Sequence, residues 1–180
     1  FENHPRGGRQ EDSPLLNPVF VAVQTGKYLS ISHLPNDIIF SHMTIVFANN
    51  DPALFAQLNS TFHYNWVQMY AAKLETRLRY LPSDCFENFP LAAGNEALRT
   101  LGSEYNDVRL RSMRARGQGL TTFLNDVNNL ELTESALVEF REFQIHTDQA
   151  VLAAYGWNDL TLDHGFRSVE YLPENDNVRF

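Results

Sequence analysis

Residues 18–34 read PVFVAVQTGKYLSISHL, and the fold class turns on this run. Five consecutive apolar residues, mostly β-branched or aromatic, are followed by a Thr25-Gly26 turn signal. A second run then mixes Tyr, Leu and Ile with Ser and His. Short apolar runs of this composition, bounded by turn residues, read as strands. A third run, DIIFSHMTIVF, follows Pro35-Asn36, and an antiparallel meander is the economical arrangement of the three. Upstream, Gly7, Gly8 and Pro14 stand among mixed charges. Residues 1–16 therefore read as a linker entering the domain, as if the chain were cut from something longer.

Downstream the texture becomes helical. Asp51-Pro52 is a helix start, because aspartate caps free amides and proline is tolerated in the first turn; ALFAQLNS follows. The stretch FHYNWVQMYAAKLETRL, residues 62–78, carries Phe62, Trp66 and Tyr70 at helical spacing, and the same face ends in Lys73 and Arg77. That spacing predicts a second helix with an aromatic core stripe. RYLPSDCFENFP at 79–90 reads as a hinge. Pro82 and Pro90 mark its ends, Ser83 or Asp84 is the expected cap of a short helix with Glu87 as its partner, and Cys85, Phe86 and Phe89 are expected to pack inward.

Two longer helices are expected, one with Leu98, Leu101, Tyr105, Val108 and Ser112 along its buried side, the other with Leu137, Phe140, Gln144, Thr147, Val151 and Ala154. The Gly- and Asn-rich stretch between them reads as a connection, and the last 16 residues have room for one strand. The fold class is thus α+β: a small antiparallel β-rich domain at 17–91 followed by a helical carboxy-terminal region at 92–180.

Composition narrows the function. The chain has 180 residues, 43% of them hydrophobic, one cysteine and a formal net charge of −8. No run approaches the roughly 18 apolar residues of a membrane span. The polar start is unlike a signal peptide, and the lone Cys85 suits a reducing compartment; a cytoplasmic location is the expectation. Residues 1–80 balance six Lys/Arg against six acids, whereas residues 81–180 hold eight against sixteen. The first half is accordingly the better candidate for meeting a phosphate backbone.

The six histidines lack metal-ligand spacing, so no metal site is expected. Neither a nucleophile elbow nor a phosphate-cradling Gly-rich loop occurs, and Asp84 beside Cys85 disfavours a thiolate. Asn17-Pro18-Val19-Phe20 approaches the Asn-Pro-Pro-Tyr/Phe loop of amino-methyltransferases but lacks the second proline, and it reads as the start of a strand. Arg109, Arg111, Arg114 and Arg116 in VRLRSMRAR fall on different helix sides. A solvated, ion-paired helix is the plain reading of them, and phosphate contact the alternative.

Several segments in order resemble one family. HYNWVQMYAAKLETRLRYLPSDCFENFPL at 63–91 is similar to the stretch that closes the target-recognition domain of MmeI-like, type IIG restriction-modification N6-adenine DNA methyltransferases and related phage-defence methylases. GLTTFLND at 119–126 and DQAVLAAYGW at 148–157 resemble the helical region that follows in those proteins. The resemblance spans residues 18–167. It implies that the β-rich part reads double-stranded DNA for DNA methylation, while a methyltransferase domain with its S-adenosylmethionine lies upstream in the same polypeptide. This chain, holding no catalytic motif and no cofactor of its own, is then expected to be inactive alone. A twisted β-ribbon fits a major groove, which makes Lys27, Tyr28, Ser30, Ser32, His33, Asn36 and His42 candidates for base or phosphate contact, with Arg77 and Arg79 approaching phosphates. The competing expectation is a protein-interaction module, in which the acidic helical half docks on a catalytic subunit.

Overall fold

The computed structural model describes residues 17–174 and 176–179; the expected linker at 1–16 lies outside them. Directly after Asn17-Pro18 the chain enters β1 (Val19–Val23), as expected. β3 (Ile31–Leu34) and β4 (Thr44–Phe47) both pair antiparallel with β1, in the order β3-β1-β4. This departs from the expected meander, which would place the second run in the middle. The physical reason is burial: Val19, Phe20, Val21 and Ala22 are all buried, whereas β3 carries half-buried Ser32 and His33 and β4 exposes Val46. The strand apolar on both faces takes the centre, and the connection 35–43 carries the chain across. Register places Phe20 opposite His33 and Phe47, and Ala22 opposite Ile31 and Ile45, so one face supplies Phe20, Ile31 and Phe47 to the core.

Beyond β1 the same extended chain joins a second sheet. Gln24 donates its N–H to the Met43 carbonyl at 2.8 Å and accepts from the Tyr80 N–H at 2.7 Å. β2 (Thr25–Gly26) then pairs with β6 (Arg77–Arg79), which pairs with β5 (Ala72–Leu74), in the order β2-β6-β5. The hairpin β5-β6 corrects the long helix expected over 62–78. The helix α2 (Thr61–Tyr70), capped by Ser60, stops when Ala71 turns extended. A two-residue turn at Glu75-Thr76 follows, with Glu75 at φ 54°, the positive value that a II′-type hairpin turn needs at its first position. Residues 77–80 alternate exposed Arg77 and Arg79 with buried Leu78 and Tyr80, a period of two that defines a half-buried strand.

The helix α1 (Pro52–Leu58) starts as expected, with Asp51 Oδ1 accepting from the Ala53 N–H at 3.0 Å. α3 (Pro82–Cys85) is capped by neither Ser83 nor Asp84: its N-cap position is Leu81, and the Ser83 hydroxyl donates to Asp84 at 2.8 Å. Proline at the first position, already lacking an N–H, begins this turn without a side-chain cap. Cys85 is fully buried and Phe89 nearly so, while Phe86 packs edge-on against Phe47 with centroids 5.0 Å apart. Burial pushes the Cys85 thiol pKa up, which suits an inert filler.

α4 (Glu96–Ala115) and α6 (Ser135–Ala154) are the two expected long helices. Tyr105 of α4 sits edge-on to Phe55, Phe140 and Phe143. Gly102 lets α4 meet the start of α1, for a Cβ there would lie 1.8 Å from the Pro52 carbonyl oxygen. The connection expected between these helices contains another, α5 (Leu120–Val127). Carbonyls at and just beyond its carboxy-terminal end are met by buried Arg141, which donates to those of Asp126, Val127, Asn129 and Leu132 at 2.6–3.0 Å. At the end of the chain β7 (Phe166–Arg167) pairs with β8 (Val178–Arg179), a short two-stranded piece where one strand was expected. A single apolar cluster draws Phe20, Phe55 and Tyr80 from one side of residue 91 and Tyr105, Phe123, Phe140 and Tyr171 from the other. The two tryptophans lie apart from it in separate aromatic pairs, Trp66 tilted against Tyr70 at 4.3 Å and half-exposed Trp157 stacked on Tyr155 at 4.6 Å. No helix among the described residues is long and apolar enough to cross a membrane.

Candidate nucleic-acid interface

The second sheet has one covered face and one open face. Leu78, opposite Gly26 and Lys73, turns into the core, so its neighbours Arg77 and Arg79 share the other face with Thr25, Ala72 and Leu74. Side chains two apart on a strand project in the same direction, about 7 Å from each other. Both arginines are exposed. Arg77 pairs with Glu75 of the turn at 2.8 Å, an exposed contact of the kind worth ~0–1 kcal/mol and readily exchanged; the Arg79 side chain makes no hydrogen bond or ion pair to any described residue. Lys73 stands at the sheet edge, 3.8 Å from Glu170.

The other candidates are placed differently. Ser30 and Ser32 come together under a side chain from the helical region, their hydroxyls accepting from Arg109 at 2.9 and 3.1 Å. His33 lies against the rings of Phe20 and Phe55, with centroids 5.4 and 5.8 Å away, and burial lowers its pKa. Its Nε2 and the Asn36 Oδ1 are buried without a hydrogen-bond partner among the described residues. His42 is exposed on the connection 35–43, beside fully exposed Ile39.

Lys27 and Tyr28 line a polar cleft of about 520 Å³ with Asn125, Asn129, Asp176 and Asn177. There the Lys27 ammonium meets Asp176 at 3.0 Å and Asn125 at 3.2 Å. Burial works against its charge, but Asp176 and the Tyr28 hydroxyl more than offset it and leave the pKa raised. The Tyr28 hydroxyl pKa is raised chiefly by burial.

The basic run on α4 separates into distinct roles. Arg111 pairs with Glu139 at 3.6 Å, and Arg116 with Asp126 and Glu134, as an ion-paired helix surface should; Arg114 is exposed. Arg109 instead is buried, 3% exposed. The signal for it was in the spacing. Leu98, Gly102, Tyr105, Arg109 and Ser112 recur every three or four residues and are all buried, so Arg109 belongs to the apolar stripe rather than to the basic run.

Among the described residues no group of three His, Cys, Asp or Glu side chains is arranged to hold a metal. Gly117 and Gly119 have open space around them.

Residues 5–93 match the family model of the MmeI target recognition domain. The fold is similar to that of a type IIL restriction-modification enzyme, MmeI, solved in complex with DNA: the TM-score is 0.58 at 22% sequence identity, over 79% of this chain and 19% of that one. This chain thus spans about a fifth of that enzyme's length. No curated protein matches it. Residues 5–93, the β-rich part that runs up to the hinge at 79–90, are thus similar to the MmeI target recognition domain.

Proposed function

We propose that this chain reads DNA sequence as the recognition part of a restriction-modification enzyme that methylates adenine. The observation that carries this is the match of residues 5–93 to a target recognition domain. The open face bearing Arg77 and Arg79 supports it physically, because an acidic protein meets a polyanion through a local cationic surface and not through its net charge. Within this reading the two arginines contact phosphates, while the connection 35–43, with Asn36 and His42, faces the base edges; His33, packed on Phe20 and Phe55, supports that connection from the core side. Base flipping and methyl transfer from S-adenosylmethionine belong to a methyltransferase domain of the parent polypeptide, and this part selects which adenine is presented. Its setting is the cytoplasm, where the DNA is.

The test is duplex binding by the 180-residue chain over a salt series. Affinity should fall as salt rises, with a log–log slope of about −0.9 per neutralised phosphate. Replacing Arg77 and Arg79 by alanine should lower affinity across all sequences and make the slope shallower by about 1 for each phosphate left without its arginine. Absence of any binding at low salt would remove the reading role.

A further inference from the structure

β3 is an edge strand, and the backbone N–H and carbonyl of Ile31 are both engaged from outside the sheet. Asn59 Oδ1 accepts from the N–H at 3.3 Å, and Arg109 Nη1 donates to the carbonyl at 3.1 Å. The same guanidinium donates to Ser30 and Ser32 on either side and to Asn106 Oδ1 at 3.0 Å. Every acceptor is neutral, and no carboxylate among the described residues forms an ion pair with Arg109. Burying a cation in this way forfeits its hydration, and an apolar side chain of similar volume would fill the space at less cost. What arginine supplies is geometry: a planar fork fixes two hydroxyls and the carbonyl between them at once.

We propose that Arg109 is a positioning residue for DNA reading. It sets the pitch of β3 and of the connection 35–43 that leaves it, so the specificity unit extends past residue 93 into α4. This inference rests on the function proposed above. Ser30 and Ser32 then serve Arg109 rather than the bases.

The experiment selects preferred duplexes from a random pool with the 180-residue chain, then measures affinity for the selected duplex and for single-base variants of it at one salt concentration. Amide hydrogen exchange is followed across 30–34. Arg109→Lys keeps the charge but loses the fork. It should cut discrimination on the order of tenfold, about one base contact's worth, raise exchange in β3, and leave the salt slope unchanged. The double variant Ser30→Ala with Ser32→Ala should do the same, and Ser30→Thr with Ser32→Thr, which keeps both acceptors, should restore discrimination. If Arg109→Lys discriminates like the parent, the inference fails while the reading function stands. If the serine variants lose affinity and Arg109→Lys does not, the serines touch DNA directly and the inference also fails. A parent chain that selects no preferred duplex sinks both the reading function and this inference.

Discussion

The two three-stranded sheets share one continuous strand of chain yet use their cations in opposite ways. The β3-β1-β4 sheet is closed: its inner face feeds the core, and its β3 edge is occupied by Asn59 and Arg109. The β2-β6-β5 sheet commits Leu78 to the core and leaves Arg77 and Arg79 in solvent. A sealed edge also removes a surface on which another chain could add a strand. Arginine therefore has two separable jobs here. Where it is buried among neutral acceptors it fixes structure; where it is exposed beside at most one weak partner it is available to a ligand.

Mutations that break this comparison from the buried side should have the largest effect. Arg141→Met takes a donor from four carbonyls around the end of α5; those of Asp126 and Asn129 keep backbone N–H donors, whereas those of Val127 and Leu132 are left unpaired, at about 1–3 kcal/mol for each that water cannot reach. A loss of about 3 kcal/mol or more in urea unfolding is expected. Gly102→Ala forces α4 away from the Pro52 backbone and should cost about 2–3 kcal/mol, read from the same unfolding curves.

His63 offers a pH-dependent version. Burial holds its pKa down at about 4, although the carbonyls of Leu58 and Cys85 pull it upward. The unfolded histidine titrates near its ordinary value of about 6.5. Between these values the unfolded chain binds more protons, so this contribution is complete above about pH 6.5 and is lost as pH falls toward 4. At about pH 5 the loss is ~2 kcal/mol, and His63→Asn should flatten stability over that interval. The smallest change in stability, within ~0.5 kcal/mol, is expected for Arg77→Ala with Arg79→Ala. The same pair should show the largest loss in duplex affinity, and equal losses in folding and binding would erase the distinction between the sheets.

Much of the architecture was legible wherever a local signal and the tertiary outcome agree. Asp51-Pro52 starts α1, the apolar run 19–23 is a strand, and the stripes through Tyr105 and Phe140 mark α4 and α6. The misses have physical causes. Strand order depends on comparing burial among all three runs, so the fully apolar β1, although first in sequence, takes the middle. Residues 71–78 continue the helical count of the aromatic stripe at 62–70 through Lys73 and Arg77, but the alternation at 77–80 and the turn at Glu75 prevail. α5 is short and flanked by Gly119 and Asn128, although Leu120, Phe123, Leu124 and Val127 carry a helical spacing. At the candidate interface, Arg77 and Arg79 were picked out together from the sequence, and both are exposed. Arg109 was obscured by its basic neighbours, because its stripe was read without it.

The separate aromatic pairs of the two tryptophans make the chain its own optical reporter. Trp157 lies in the tail, and Trp66 sits on Tyr70, two residues before the hairpin that carries the open arginines. Trp157→Phe would leave Trp66 as the sole indole emitter. Its fluorescence would then follow events at the second sheet without any attached dye, while the carboxy-terminal tail stays silent.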